Sequence, residues 1–245
     1  MSKNLVIIPT YNERENAEAI VRKVFSLEES FHVLIVDDGS PDGTADIIKE
    51  LQNEFPLQLH LMQREGKQGL GTAYIAGFKY ALENGYDYIC EMDADFSHNP
   101  EDLERLQAEC AKGGADVAIG SRYITGVNVV NWPMGRVLLS YFASWYVRIV
   151  TGMKINDTTA GFVCYSRKVL ESINLENIRM IGYAFQIEMK FKAWLLGFDV
   201  REVPIIFTER KHGTSKMSGG IFSEAVFGVI SMKFKSLINK KKYLR

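Results

Sequence analysis

The sequence predicts an α/β fold in which helices cover both faces of a mostly parallel central sheet. Short apolar and β-branched runs alternate with helical patterns through the first half of the chain. The run at residues 33–36 is apolar at every position, which is typical of a strand buried on both faces. The 245 residues, 47% hydrophobic and 24% charged, suit one ordinary globular domain.

Strands and helices alternate regularly up to residue 121. We expect strands at residues 5–9, 32–37, 57–62, 86–92 and 116–121. The helices between them are expected at residues 15–27, 44–54, 70–84 and 100–112, and a pair of glycines ends the last one. Because a helix connects each strand to the next, these strands should lie parallel.

The pattern changes after Arg122, where a loop containing Gly and Asn precedes an aromatic and aliphatic run at residues 137–150. Beyond it we expect strands at residues 161–165 and 200–207 and helices at residues 185–196 and 220–238. We therefore divide the chain into a main domain at residues 1–219 and a C-terminal amphipathic, basic helix at residues 220–245.

Polar and charged side chains follow four of the predicted strands. These groups lie at residues 9–13 (PTYNE), 37–40 (DDGS), 93–95 (DAD) and 121–123 (SRY). Each group alone is explained by a turn or a helix cap. In an open parallel sheet, however, ligands bind outside the carboxyl ends of the strands, so four such groups in one sheet indicate a site.

Asp93 and Asp95 are the most informative pair, because two carboxylates separated by one residue directly follow an apolar strand. Oxygen ligands suit Mg²⁺ or Mn²⁺, which bind through one or two carboxylates and the phosphates of a substrate.

Two other acidic segments resemble known kinds of site but are excluded as such sites. Residues 35–38 follow the second strand and not the first, unlike a phospho-accepting receiver pocket, and residues 38–49 have Lys49 where a calcium loop needs Glu.

Taken together, the motifs at residues 9–13, 36–42 and 93–95 resemble glycosyltransferase family 2 on the GT-A nucleotide-sugar-binding fold. Further motifs, at residues 120–123, 131–136, 159–162 and 210–216, look like those of the dolichol-phosphate (polyprenol-phosphate) mannosyltransferases. The match follows the family's order over nearly the whole chain. It implies transfer of mannose from GDP-mannose to a polyprenyl phosphate with Mg²⁺ or Mn²⁺.

The resemblance also implies roles for individual residues. The nucleotide-sugar-binding positions are Pro9, Tyr11, Glu13, Val36, Asp38, Asp93, Ala94, Asp95, Arg210 and Lys216. Asp93 and Asp95 match the metal site, and Ser97 stands where some relatives have a Gln ligand. Serine is a poorer ligand, so we expect water or phosphate there. Arg122 and Arg136 match the acceptor-phosphate positions, and with Asp95 they are expected to be catalytic.

The expected chemistry follows from the substrates. Negative charge develops on the departing diphosphate, and a metal ion and guanidinium groups stabilise it. No His or Glu stands out as a general base, but a phosphate acceptor with a second pKa of ~6 can attack unaided. We therefore predict inverting displacement. Asp157 and Glu188 receive no role, and His98 and His212 are interpreted as loop residues and not ligands.

A polyprenyl acceptor requires contact with a bilayer, yet no apolar run reaches the ~18 residues of a spanning helix. Residues 137–150 and 220–238 suit a membrane surface, although packing on the core or across a dimer contact is the alternative for both. Six basic residues and no acidic one occur from Lys233 onward, which favours an anionic leaflet. A separate membrane-anchoring subunit is compatible with the sequence but is not required.

The remaining composition limits the location and the partners. A net charge of −1 argues against nucleic-acid binding. The three cysteines, Cys90, Cys110 and Cys164, are dispersed, which predicts reduced and buried thiols. We expect a cytoplasmic protein bound peripherally at the cytosolic face of a membrane.

Two alternatives stay open. The same fold could use UDP-glucose or another donor, or pass the sugar to a glycan hydroxyl. The chain could also be a non-catalytic subunit that binds a sugar nucleotide or a lipid, but both aspartates and the basic residues argue against that.

Overall fold

The computed structural model describes residues 2–180, 182, 184–209 and 219–244, with the side chains of residues 219–225, 241 and 242 excepted. The strands are β1 (Asn4–Thr10), β2 (Phe31–Asp37), β3 (Leu59–Gln63), β4 (Tyr88–Glu91), β5 (Val117–Ser121), β6 (Val129–Val130), β7 (Val163–Ser166), β8 (Val200–Pro204) and β9 (Phe207–Thr208). The α-helices are α1 (Arg14–Phe25), α2 (Thr44–Glu54), α3 (Leu70–Glu83), α4 (Asp102–Ala111), α5 (Met134–Thr151), α6 (Arg167–Ser172), α7 (Ala184–Leu196), α8 (Gly219–Ile238) and α9 (Lys240–Leu244).

The central sheet has the strand order β3-β2-β1-β4-β7-β5-β8. Strand β7 runs antiparallel to β4 and β5, and the other neighbours are parallel. This arrangement confirms the predicted fold class. Strands β2 and β4 lie on opposite sides of β1, so the connections diverge there, and a ligand crevice is expected at the carboxyl ends of β1 and β4.

The apolar residues of β1 divide between the two faces of the sheet. Val6 and Ile8 pack with α1, α2 and α4, whereas Leu5 and Ile7 pack with α3 and α7. This alternation follows from the period of two in a strand. Helix α3 comes unusually close to β1 at Gly77, where an added Cβ would lie 2.7 Å from Ile7.

Helices α5 and α8 pack against each other at one side of this body. The hydroxyl of Tyr146 donates to the carbonyl of Val226 at 2.9 Å, and Lys233 Nζ donates to the carbonyl of Thr151 at 2.9 Å. Across the described ranges, no helix is both long enough and apolar enough to cross a membrane.

The structure corrects one predicted strand. Residues 200–207 form two strands, because β8 ends at Pro204 and β9 leaves the central sheet to pair with β6. The two-residue strand β6, the short helix α6 and helix α9 were not predicted. All three cysteines are buried and free, as predicted.

Candidate active site

The loops after β1 and β2 are joined through Asp37. Its buried carboxylate accepts hydrogen bonds from Thr10 Oγ1 at 2.8 Å, from Ser40 Oγ at 2.6 Å and from the Ser40 amide at 2.9 Å. Pro9 and Val36, two of the predicted nucleotide-binding positions, are paired in register just before these loops. Asp37 had no predicted role, but its hydrogen bonds join the two loops at this edge of the sheet.

Asp38 is paired with a residue that the sequence analysis missed. Arg64 Nε donates to Asp38 Oδ1 at 2.7 Å, and only about a tenth of either side chain is exposed. Arg64 Nη1 also donates to Thr72 Oγ1 at 2.8 Å. Lys67, in the same loop after β3, lies with Nζ 5.5 Å from the ring centroid of Tyr11. Residues 64–71, which follow β3, contain two basic residues and three glycines. This pattern could have predicted that a fifth strand end contributes to the site.

Glu13 also links the loops after β1 and β2. Its amide donates to Thr44 Oγ1 at 3.1 Å, and its carboxylate accepts a hydrogen bond from Asn16 Nδ2 at 3.0 Å. Tyr11 is half-buried between these loops. The structure therefore brings the predicted β1 and β2 positions to one edge of the sheet.

The turn after β4 holds the two candidate metal ligands. Asp95 is buried and its Oδ1 accepts the Ser97 amide at 3.0 Å, whereas the Asp93 side chain is 40% exposed. The buried Ser97 Oγ has no hydrogen-bond partner within the described residues. Phe96 has a φ of 59°, a left-handed conformation that is unusual for a bulky residue and typical of functional turns.

The donor set at this turn suits a hard cation. It comprises two carboxylates and one unpaired hydroxyl, and such cations accept oxygen ligands and complete their shell with water or phosphate. Among the described residues, no cluster of three or more His, Cys, Asp or Glu side chains is placed to hold a metal. The residues present therefore fit a cation that a substrate also coordinates.

His98 supports this turn. Its ring stacks on Phe162 with centroids 4.7 Å apart, and Nδ1 accepts the Asp93 amide at 3.3 Å. Burial lowers the pKa of His98 to about 4, so the imidazole is neutral at physiological pH. His98 lies in a loop, as predicted, but it is buried.

Arg122 is held by Asp157, a residue to which the sequence analysis gave no role. Arg122 Nε and Nη2 each donate to the Asp157 carboxylate at 2.6 Å, and the Arg122 amide donates to it at 3.0 Å. Burial opposes ionisation of Asp157, but the Arg122 charge prevails and holds its pKa below the usual range. Glu202 in turn accepts the Asp157 amide at 2.9 Å. This chain of contacts orients Arg122.

Arg136 lies close to Arg122, and both guanidinium groups contact Trp132. The Arg122 guanidinium is 5.6 Å from the Trp132 ring centroid and the Arg136 guanidinium is 4.1 Å from it. Arg136 Nη1 also donates to Glu209 at 2.5 Å. The structure therefore brings the two predicted acceptor-phosphate residues together, while Arg210, Lys216 and His212 lie outside the described residues.

A cavity of about 520 Å³ connects these groups. Asp93, Ser97, Arg122 and Arg136 line one part of it. Side chains of α5, α7 and α8 contribute many of the other lining residues, and most of these are apolar: Leu139, Phe142, Ala143, Trp145, Val147, Ala184, Ile187, Val226 and Val229. The cavity thus joins a charged, oxygen-rich end to an apolar chamber.

The family is decided by comparison with known sequences. Residues 5–173 match Glycosyl transferase family 2. The chain belongs to this family. It is accordingly a glycosyltransferase.

Two family 2 relatives are similar over most of the chain. Polyprenol monophosphomannose synthase of Mycolicibacterium smegmatis is 51% identical, over 93% of this chain and 85% of the relative. Undecaprenyl-phosphate mannosyltransferase of Micrococcus luteus is 47% identical, over 92% of this chain and 91% of the relative.

Solved structures agree with the fold. Glucosyl-3-phosphoglycerate synthase from Mycobacterium tuberculosis, in complex with Mn²⁺ and UDP, superposes with a TM-score of 0.67. The match covers 96% of this chain and 79% of that chain, at 16% identity. The family 2 chain therefore has the GT-A fold that the sequence predicted.

A second group of buried polar residues lies next to the candidate active site. Glu91 is fully buried at the end of β4, and burial raises its pKa to about 8. Burial likewise lowers the pKa of Lys190 to about 8. Lys190 Nζ donates to the carbonyl of Ala160 at 2.5 Å and to the carbonyl of Thr158 at 3.3 Å. Lys190 thereby ties the loop beside Arg122 to α7.

Proposed function

We propose that the protein transfers mannose, with inversion, from GDP-mannose to a polyprenyl phosphate, using Mg²⁺ or Mn²⁺ at the cytosolic face of a membrane. The observation that carries this proposal is the cavity, because its ends suit two different parts of one substrate. Its charged end presents Arg122 and Arg136, and its apolar end lies between α5, α7 and α8. The two curated relatives, named for polyprenyl mannosyl transfer, support the same acceptor class.

The donor nucleotide is assigned to the loops after β1, β2 and β3. Pro9, Val36 and Asp38 meet at this edge, and Arg64 holds the Asp38 carboxylate in place. Asp93, Asp95 and Ser97 would hold the metal. A divalent ion bound there supplies positive charge to the diphosphate leaving group.

The acceptor phosphate is assigned to Arg122 and Arg136. Guanidinium groups bind phosphate oxygens with directional hydrogen bonds, and Asp157 fixes the orientation of Arg122 before the substrate arrives. One phosphate oxygen of the lipid then attacks the anomeric carbon of the sugar. The bond to the diphosphate breaks, its electron pair leaves with GDP, and the configuration at that carbon inverts. A dianionic phosphate has no proton to lose, so this step needs no general base.

The lipid chain is expected to enter from the exposed faces of α5 and α8. Large apolar side chains on these two helices are at least 45% exposed: Met134, Leu138, Leu139, Tyr141, Phe142, Trp145 and Ile149 on α5, and Phe227, Ile230, Phe234, Leu237 and Ile238 on α8. Clustered exposed apolar groups on a monomer mark an interaction surface. Because these helices also line the cavity, a membrane at this surface would deliver the polyprenyl chain directly to it.

The proposal is tested by transfer of labelled mannose from GDP-mannose to a short polyprenyl phosphate in detergent. Reactions contain Mg²⁺, Mn²⁺ or a chelator, and parallel reactions contain UDP-glucose or a glycan acceptor. We expect a mannolipid that forms only with metal. Transfer only from UDP-glucose would overturn the donor, and transfer only to the glycan would overturn the acceptor. No product with any pair would overturn the assignment of this chain as a self-sufficient enzyme.

A further inference from the structure

We propose that Gln186 and Tyr74 form a subsite for the hydroxyl groups of the transferred hexose, and that Gln186 helps to determine which hexose is accepted. This inference rests on the proposed function and names residues to which neither the motifs nor the relatives assign a role. It concerns the sugar, whereas the groups described above concern the nucleotide, the metal and the acceptor phosphate.

Both side chains are buried at the cavity without partners. Gln186 is 2% exposed, and neither its Oε1 nor its Nε2 forms a hydrogen bond within the described residues. The hydroxyl of Tyr74 is likewise buried and unpaired there. Both residues line the cavity that Asp93 also lines. Because native proteins rarely leave buried polar atoms unpaired, atoms in this position call for a ligand or ordered water.

The two side chains are also held in place. The ring of Tyr74 stacks on Phe185, the neighbour of Gln186, with centroids 5.9 Å apart and planes within 10°. One turn along α7, Lys190 Nζ donates to the carbonyl of Gln186 at 3.3 Å. The backbone and the ring are thus positioned before a ligand binds, as a specificity site requires.

Gly161 leaves space beside the amide. An added Cβ at this position would lie 4.0 Å from Gln186 Nε2 and 4.0 Å from His98 Cε1. On another side the amide lies beside the Glu91 carboxylate. Burial raises the pKa of that carboxylate and the neighbouring amide lowers it, but no atom pair of the two groups meets hydrogen-bond geometry. The amide therefore has room on the cavity side for a hydroxyl group.

The chemistry of these groups matches a sugar better than it matches the other parts of the substrates. A carboxamide offers both donors and an acceptor, and a phenol offers one of each, as vicinal hydroxyls of a hexose do. A phosphate would require cations, and an isoprenoid chain would require apolar walls. Such a site also discriminates strongly, because an epimer that misplaces a hydroxyl leaves buried polar atoms unpaired.

The test compares Gln186→Leu with Gln107→Leu as the matched control. Gln107 is a 3% exposed glutamine on α4 that donates to Asn4 at 3.3 Å, and it does not line the cavity. For each protein, kcat/KM is measured with GDP-mannose and with GDP-glucose, its 2-epimer, and the Kd of GDP is measured by calorimetry. Thermal melting confirms that each variant is folded.

We expect Gln186→Leu to lose about 100-fold in kcat/KM for GDP-mannose and most of its preference over GDP-glucose. The Kd of GDP should stay within about twofold, since the inference assigns the amide to the sugar and not to the nucleotide. Tyr74→Phe, which removes one hydroxyl, should lose about 10-fold. Gln107→Leu should keep the preference of the unmodified protein.

Three results would overturn the inference. They are an unchanged donor preference in Gln186→Leu, a loss of GDP affinity as large as the loss of transfer, or the same loss of preference in Gln107→Leu. If the unmodified protein uses a different donor, the proposed function fails, and the same ratio is measured with that donor and its epimer. If the unmodified protein transfers no sugar, binding replaces kcat/KM as the measurement. The Kd of the sugar nucleotide is then divided by the Kd of its nucleoside diphosphate, for the unmodified protein and for Gln186→Leu. The same value in both proteins overturns the inference.

Discussion

The loops assigned to the donor and the helices assigned to the lipid are built in opposite ways. On the donor side, short loops after β1, β2 and β3 are linked by charged and hydroxyl groups such as Asp37 and the Asp38–Arg64 pair. On the lipid side, α5 buries little more than Ser144, Val147 and Thr151 and exposes its large apolar residues. The donor loops are held in place by their own hydrogen bonds and ion pairs, whereas the apolar side chains of α5 are exposed to solvent. Changes on the donor side should therefore affect every reaction, and changes on the lipid side should affect only lipid acceptors.

The largest effect is expected for Asp95→Asn. Loss of a buried carboxylate at the candidate metal turn should lower kcat about 1000-fold with long and short acceptors alike, because it removes charge stabilisation of the leaving group. The measurement is the transfer rate at saturating metal, and the control is Asp46→Asn, which changes an exposed carboxylate on α2. A variant that lost transfer only to long lipids would contradict the separation of the two regions.

Asp157→Asn tests the junction between the regions. Arg122 would remain buried without its counter-charge, so the free energy of unfolding should fall by about 3–5 kcal/mol. The KM for the acceptor should rise more than the KM for the donor, because Arg122 would lose its fixed orientation. Denaturant unfolding and initial rates measure the two effects.

The control is Glu176→Gln, which breaks the exposed ion pair with Lys79. It should change the free energy of unfolding by less than about 1 kcal/mol. Equal losses in both variants would show that Asp157 is an ordinary ion-pair partner.

A paired change on α5, Phe142→Ser with Trp145→Ser, tests the lipid side. Removing two exposed apolar groups should weaken binding to anionic vesicles about 10-fold or more, since each large side chain contributes about 1.5–3 kcal/mol when buried. Transfer to a water-soluble, short-chain acceptor should fall much less. Co-sedimentation with vesicles gives the affinity, and Leu57→Ser, an 80% exposed residue outside these helices, is the control. Unchanged vesicle binding together with a change in oligomeric state would show that this surface is a dimer contact.

The smallest effect concerns pH. His32 and His60, on the donor half of the sheet, share the hydroxyl of Tyr86 at 2.9 and 3.3 Å. Burial lowers the pKa of both histidines, so the unfolded chain binds more protons than the folded protein below about pH 6.5. Stability should therefore decrease as the pH falls from 7 toward 5, and His60→Gln should flatten that decrease. Melting temperature against pH measures it, and a slope unchanged in His60→Gln would exclude the pair as its cause.

Local sequence was enough to locate the elements that have strong patterns. Helix α2 was predicted with its observed bounds, and β2 and α3 within one residue, because their apolar periodicity and their end signals depend on near neighbours. The short strand β6 and the separation of β9 from β8 escaped prediction, since these two-residue strands exist only through their pairing with each other.

The same division applies to the site. Sequence by itself determined that Pro9 and Val36 lie near the ends of strands and that Asp38, Asp93 and Arg122 follow strands, because a motif at a strand end is a local feature. Only the tertiary structure decided that Asp157 orients Arg122, that Arg64 holds Asp38, and that the unpaired amide of Gln186 lines the cavity. Each of these contacts joins residues at least 26 positions apart or depends on a shared cavity, so no local pattern encodes it. Their positions follow from how the strands are ordered and how the helices pack on them.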